Sequence, residues 1–146
     1  MNLDAGWRVS LYGAARQKLE DWDQKRNHLR MTYDCLSRPE SVFESATGAE
    51  QRTACFAYGD NSQESARHNR CAQLIRHDDG AGTQHFSEFS VFGACLQQTR
   101  RFLAQIQLPD WPVNETERDK LLEPQGALTQ TGFNSCLLYT SPSPRD

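Results

Sequence analysis

The chain has 146 residues, 37% of them hydrophobic, with a mean hydropathy of −0.76; soluble domains usually reach ~45–50% on a slightly different count. Aromatics make up 10%, too many for a disordered tail, so a sheet that buries one face and wets the other fits both facts. A net charge of −3 gives no electrostatic case for nucleic acid or an acidic membrane, and no apolar run approaches the ~18 residues of a membrane span.

In chain order, residues 7–12 alternate and read as a strand, with 17–22 as its return and 23–27 as a polar turn. Residues 29–33 and 39–44 form the next pair, turning at 35–38, and 46–50 is a loop. Residues 52–58 read as a strand closed by Gly59-Asp-Asn-Ser62, a turn cluster, after which 62–70 is polar and loop-like. A strand over 73–77 ends at Asp78-Asp-Gly-Ala-Gly82, a hairpin turn. Strands 83–89 and 94–102 flank Gly93. Leu96, Arg100, Leu103 and Ile106 also have helical spacing, although strand is favoured. Residues 109–112 are an irregular connection. Asn114-Glu-Thr-Glu117 resembles a capping box and starts a short helix through Leu122, and strand resumes at Leu128.

Several residue sets suggest chemistry and weigh against it. Asp78-Asp79 suggests a carboxylate pair, but sequence neighbours on a strand point to opposite faces, and the glycines that follow favour a turn. His28, His68, His77 and His85 lack metal-ligand spacing, and His77 with His85 reads as cross-strand packing around one hairpin. Cys55 with His68 lacks a third partner for a thiol nucleophile. Arg100-Arg101 is a solvated face, and Gly80-Ala-Gly82 is too short for a phosphate loop. Four cysteines, Cys35, Cys55, Cys71 and Cys95, show no C-x-x-C pairing and read as free, mostly half-buried thiols. The expectation is a segment that is not an enzyme, with no catalytic residue, metal or cofactor.

One pattern recurs. Arg30-Met-Thr-Tyr33-Asp34-Cys-Leu-Ser-Arg38 overlays Arg8-Val-Ser-Leu11-Tyr12-Gly-Ala-Ala-Arg16 at an offset of 22 positions, matching both arginines. Phe86-Ser-Glu-Phe89-Ser90-Val-Phe-Gly93-Ala94 puts Phe89 in the Tyr33 place and Gly93 just before the Arg38 place. Phe133-Asn134 opens the pattern once more. A unit of roughly twenty residues with a central turn is one hairpin, marginal alone and stable when stacked edge to edge. The aromatic packs on the sheet, the Asp accepts from turn amides, a glycine before the Arg allows positive φ, and the Arg stacks on the next unit's aromatic or pairs with its Asp. Tyr33 and Phe89 are expected in equivalent places on successive hairpins.

The pattern R-x-x-Y-D-x-x-G-R resembles the YD repeats of Rhs proteins. Gln73-Leu-Ile-Arg-His-Asp-Asp-Gly-Ala-Gly-Thr83, Phe89-Ser-Val-Phe-Gly93, Phe102-Leu and Leu108-Pro-Asp-Trp-Pro112 make residues 7–135 similar to the Rhs-type C component of bacterial insecticidal toxin complexes. Ser37 and Ala15 depart from the repeat's glycine, and Gly80 stands where that family suggests proline. The resemblance implies an all-β fold, a fragment of a spiralling sheet that encloses a hollow. It implies partners as well: the remainder of the shell, a B component, and an enclosed C-terminal toxin segment delivered by a pore-forming A component. It implies bacterial release as part of that complex and self-cleavage by an aspartyl site not found in this sequence. The alternatives are the shell of a polymorphic Rhs toxin with contact-dependent or type VI delivery, or a carbohydrate-binding YD protein. No nucleic-acid or membrane-inserting role is expected of this segment.

Residues 1–135 are read as the repeat segment. Residues 136–146, Cys136-Leu-Leu-Tyr-Thr-Ser-Pro-Ser-Pro-Arg-Asp146, match one reading frame of a transposase-based sequencing adapter and are expected to lie outside the fold.

Overall fold

The structure is a computed structural model that describes residues 6–46, 48–105 and 107–132. Nine strands form a single sheet: β1 (Arg8–Tyr12), β2 (Lys18–Asp23), β3 (His28–Tyr33), β4 (Pro39–Ser45), β5 (Gln51–Tyr58), β6 (Leu74–Asp79), β7 (Gly82–Phe89), β8 (Cys95–Phe102) and β9 (Ala127–Gln130). They lie in chain order, each antiparallel to the next. Two short helices, α1 (Gln63–Arg67) and α2 (Glu115–Asp119), sit in the connections before β6 and before β9. The all-β meander expected from alternation is therefore the fold. Residues 95–102 are strand despite their helical spacing, because β7 and β9 pair with both edges of β8. A helix would leave those neighbouring ladders unpaired.

Four expectations are corrected. Residues 62–70 are not simply a loop. Ser62 caps α1 by accepting from the Ser65 amide at 3.2 Å, with Glu64 in the first turn and Arg67 in the last. That helix has no apolar stripe to announce it, and its order comes from its cap and its ends. The 78–82 turn is shorter than read, because Asp78 lies within β6 opposite Thr83 and the loop itself is Gly80-Ala81. His77 does not face His85. His77 pairs with Gln84 and stacks on Phe56 (ring centroids 4.7 Å apart), whereas Arg76 stands opposite His85. Finally, α2 stops at Asp119 instead of Leu122, which leaves the helix to bridge Leu103.

The core is small and lies to one side. Cys55, Trp111 and Leu122 are buried together, with Leu103 packed against them. This cluster forms where residues 103–105 and 107–123, a strap across one face of β5–β8, pack Leu103, Trp111 and Leu122 onto Cys55. The strap attaches where β5 outruns its neighbour. The β6–β7 hairpin turns at Gly80-Ala81, so the backbone of Arg52 lacks a strand on that side. Asp110 Oδ1 accepts from the Arg52 amide and the Trp111 amide donates to the Arg52 carbonyl, both at 2.9 Å. Those two bonds pair backbone groups of Arg52 that β6 does not reach.

Candidate functional site

The repeat is a hydrogen-bonded frame at the ends of the strands. At Asp34–Arg38 the Asp34 amide donates to the Arg38 carbonyl and the Ser37 amide to the Asp34 carbonyl, both at 2.9 Å. The same two bonds close residues 13–17, 23–27 and 90–94. The residue before the closing position has positive φ in each: Arg16 (60°), Arg26 (67°), Ser37 (61°) and Gly93 (81°). Three of the four opening residues also use their side chain on the closing amide, Asp23 on Asn27, Asp34 on Arg38 and Ser90 on Ala94. These bonds favour the ionised acid. Asn27 holds the Asp23 carboxyl below its usual range, and the Arg38 amide does the same for Asp34.

This frame shifts the first overlay by one position. Tyr12, not Leu11, is the counterpart of Tyr33, and Arg16 matches Ser37 at the positive-φ place while Gln17 matches Arg38. Ala15 is consequently not at the glycine place. Phe89 is the counterpart of Tyr33, but it lies two hairpins further on. The hairpin between them ends at Tyr58, which the overlay missed. In β1, β3, β5 and β7 the pairing register shifts immediately before the final aromatic, Tyr12, Tyr33, Tyr58 or Phe89. The Tyr33 hydroxyl donates to the Lys18 carbonyl at 2.5 Å, and the Tyr58 hydroxyl to the Pro39 carbonyl at 2.9 Å. Each tyrosine thus clasps the first residue of the strand before it. Tyr58-Gly59-Asp60 was a readable signal, but α1 stands where the tight turn would be.

Three of the motif arginines, Arg38, Arg30 and Arg8, have side-chain partners. Arg38 donates its Nε to Asp34 at 2.7 Å and lays its guanidinium 4.1 Å over the Tyr58 ring, so both expected roles occur at one residue. Arg30 forks onto Glu50 at 2.8 and 2.7 Å and lies 4.2 Å over Phe43. Arg8 pairs with Asp21, which also accepts from Ser10 and Lys18. Arg8 and then Ser10 hold that carboxyl well below the usual carboxylate range. Phe133 and Asn134 lie outside the described residues, as do residues 136–146.

A second arrangement lies under the strap, and no motif announced it. Paired residues of neighbouring strands share a face, which puts Cys55, Asp78, Thr83 and Arg101 on one side. Asp78 is fully buried. It accepts from Arg76 Nε at 2.9 Å, Thr83 Oγ1 at 2.5 Å and Arg118 Nη1 at 2.9 Å. Arg118 spends its remaining donors on the strap itself, Nε on the Pro112 carbonyl at 2.6 Å and Nη2 on the Val113 carbonyl at 2.9 Å. Asp119 takes Arg76 Nη1 at 3.0 Å. A buried carboxylate requires such pairing, and here the pairing fastens the strap to the sheet. Asp79 points the other way and is gripped by Arg100 at 2.6 Å. The two carboxylates of the Asp78-Asp79 pair are thus in separate networks.

The remaining candidates disperse. Burial pushes the Cys55 thiol up, away from the thiolate a nucleophile needs. His68 is held by Glu88 at 2.6 Å and by Glu64 at 3.2 Å. Cys35 is exposed, Cys55 buried, and Cys71 and Cys95 half-buried, all as free thiols. Among the described residues no cluster of His, Cys, Asp and Glu could hold a metal ion, and no helix is long and apolar enough to cross a membrane. A groove of about 530 Å³ runs between β3–β5 and α2, lined by Arg38, Phe43, Arg52, Tyr58 and Arg118.

No family model and no curated protein matches the sequence. Solved structures do match. The crystal structure of TcdB2-TccC3-Cdc42 superposes with a TM-score of 0.85 at 25% identity, over 92% of this chain and 7% of that one. The crystal structure of TcdB2-TccC3-TEV gives 0.86 at 25% identity, over 93% and 7%. This chain is a TccC-like YD-repeat segment. The Photorhabdus luminescens Tc holotoxin pore, with a point mutation in TccC3, has the same fold at TM-score 0.86 and 24% identity, over 92% of this chain and 6% of that one. The chain therefore spans less than a tenth of the length of the chains it matches.

Proposed function

We propose that this TccC-like segment is a piece of a hollow β-shell that encloses a polypeptide cargo and closes against a B-type component of a toxin complex. The observation that carries the reading is the uninterrupted sheet in chain order, together with its match to TcdB2-TccC3 over nearly the whole chain. A meander of this kind extends only at its edges. Among the described residues β1 offers an open ladder flanked by Val9 and Leu11, 52% and 47% exposed, and β9 offers another beside Leu128. Such edges suit hairpins from the remainder of the same shell. The segment's task in this reading is to enclose and not to react. It takes no cofactor, binds no nucleic acid and inserts in no bilayer. Toxic activity belongs to the cargo, and the whole leaves a bacterium as part of a toxin complex.

The test is a graft. Residues 7–132 replace the matching segment of TccC3, the chimera is assembled with TcdB2, and the enclosed segment is challenged with protease. Protection equal to that of the parent is expected, and digestion inside an assembled chimera overturns the reading. The isolated chain should run as oligomers on size exclusion. A monodisperse monomer with one cooperative urea transition above ~5 kcal/mol, as an independent domain shows, also contradicts it.

A further inference from the structure

In a meander the turns alternate between two rims. Those after β1, β3, β5 and β7 share one rim, and those after β2, β4, β6 and β8 share the other. The two rims differ in chemistry. On the first, the three tight turns carry Ala14-Ala15, Cys35-Leu36 and Val91-Phe92, six exposed residues without a charged, amide or hydroxyl group. Leu36 is 65% exposed, Val91 80% and Phe92 78%. Turn tips are ordinarily Gly, Asn, Asp, Ser or Pro, and water alone favours none of the six. Between the second and third of these turns stands α1, with Gln63, Glu64 and Arg67 exposed, so the apolar tips form two patches. On the other rim the tight turns carry Gln24-Lys25 and Gly80-Ala81. The second of these is already bonded to the strap, the Leu103 amide donating to the Ala81 carbonyl at 3.1 Å. Exposed apolar groups gathered along one border of a fold mark a contact.

We propose that the rim carrying Leu36, Val91 and Phe92 is a seam, on which another pass of the same wall lies. The inference rests on the shell reading and adds where the wall meets itself. The strands have four to eight residues, so the sheet is a strip at most ~26 Å high at ~3.3 Å per residue. Further strands add only beside β1 and β9, and the strip lengthens without growing taller. Such a strip bounds a hollow only by coming round to lie beside itself. Its edge ladders are spent on continuing the sheet, so two passes meet at their turns. The matched chains are long enough for this, since the present chain spans 7% of the first of them. Contact between turns uses side chains and no backbone ladder, and apolar tips are what such a contact buries.

Cys35 reads the seam directly, because it lies beside Leu36 and its thiol is exposed in this chain. In the TccC3 chimera that carries residues 7–132, maleimide labelling of Cys35 is timed by peptide mass mapping. It is timed before and after TcdB2 joins, and in a version without the C-terminal region. Labelling at least about tenfold slower than in the urea-unfolded chimera is expected in all three, as for a site that must open to react. Labelling at the unfolded rate overturns the proposal. Shielding that vanishes with the C-terminal region gives the rim to the cargo, and shielding that appears only with TcdB2 gives it to the B-type component; either overturns the seam. Leu36→Glu with Phe92→Glu should return Cys35 towards the unfolded rate in the assembled chimera, and a Cys35 that stays slow there overturns the proposal. If that variant does not assemble, the three parent rates decide. A protected cargo with a fast Cys35 removes the seam and leaves the shell reading standing, whereas a digested cargo removes both.

Discussion

The sheet has two halves built on different physics. At β1 and β2 no strap covers it among the described residues, and Trp7, Val9, Leu11 and Tyr12, at and just before β1, are each about half exposed. Order there comes from turn frames, tyrosine clasps and arginines stacked on rings. From β5 to β8 the strap covers one face, and the fully buried large side chains, Trp111, Thr83, Asp78 and Cys55, all lie there. A YD repeat thus specifies where strands turn, but it does not by itself supply a second layer. Where the wall needs one, the chain brings it from a long connection and fastens it with a buried charge.

The contrast makes graded predictions, each read by hydrogen exchange in the grafted chimera, where local opening can be resolved. The largest effects belong to the covered half. Trp111→Ala should cost about 3–5 kcal/mol, as loss of a buried aromatic does, with protection lost across the strap and β5. Asp78→Ala leaves Arg76 and Arg118 buried without a counter-ion and should cost a similar ~3–5 kcal/mol. Adding Arg118→Ala to it should cost much less than the sum of the singles, because the pair acts as a unit. Near-additivity would mean that the strap is held by something other than this charge.

Smaller effects belong to the turn frames. Ser37→Gly should stabilise its turn, and Gly93→Ala should destabilise its own, each by about 1–2 kcal/mol, the usual left-handed penalty. Opposite signs at equivalent places are the signature of a shared frame, and equal signs would dissolve the equivalence. Tyr33→Phe removes the bond to the Lys18 carbonyl and should cost about 0.5–1.5 kcal/mol, confined to β2 and β3. Arg30→Ala should cost under about 1 kcal/mol and should lose most of that effect in high salt, because the Glu50 pair is near water.

Much of the wall was legible in the sequence, because strand alternation and turn chemistry are local. Alternation over residues 7–12 and 17–22 needed no partner to be read. The Asp34–Arg38 turn followed from Asx chemistry and from the need for positive φ. Two things misled. Arginine identity drew Arg16 onto Arg38, whereas backbone bonding puts Arg16 one place earlier. Polar composition hid α1, whose stability lies in the Ser62 cap and in contacts of His68 and Asn69 with β7. The covered cluster was not legible, since Asp78 and Arg118 are forty residues apart and no short pattern links them. The tryptophan of Leu108-Pro-Asp-Trp-Pro112 lies in a stretch similar to the C component, yet its role as the centre of the core depends on the Arg52 overhang.

The turn frame leaves its tips free. Its bonds join the opening residue to the closing residue and to the positive-φ residue before it, and the two side chains that follow the opening residue serve no part of it. Those tips are Ala14-Ala15, Gln24-Lys25, Cys35-Leu36 and Val91-Phe92. Leu36, Val91 and Phe92 stand 65%, 80% and 78% exposed. The rim of such a wall can therefore be rewritten from apolar to charged without changing strand register or wall thickness. What the rim touches and what holds the wall up are encoded by separate residues, and can vary separately.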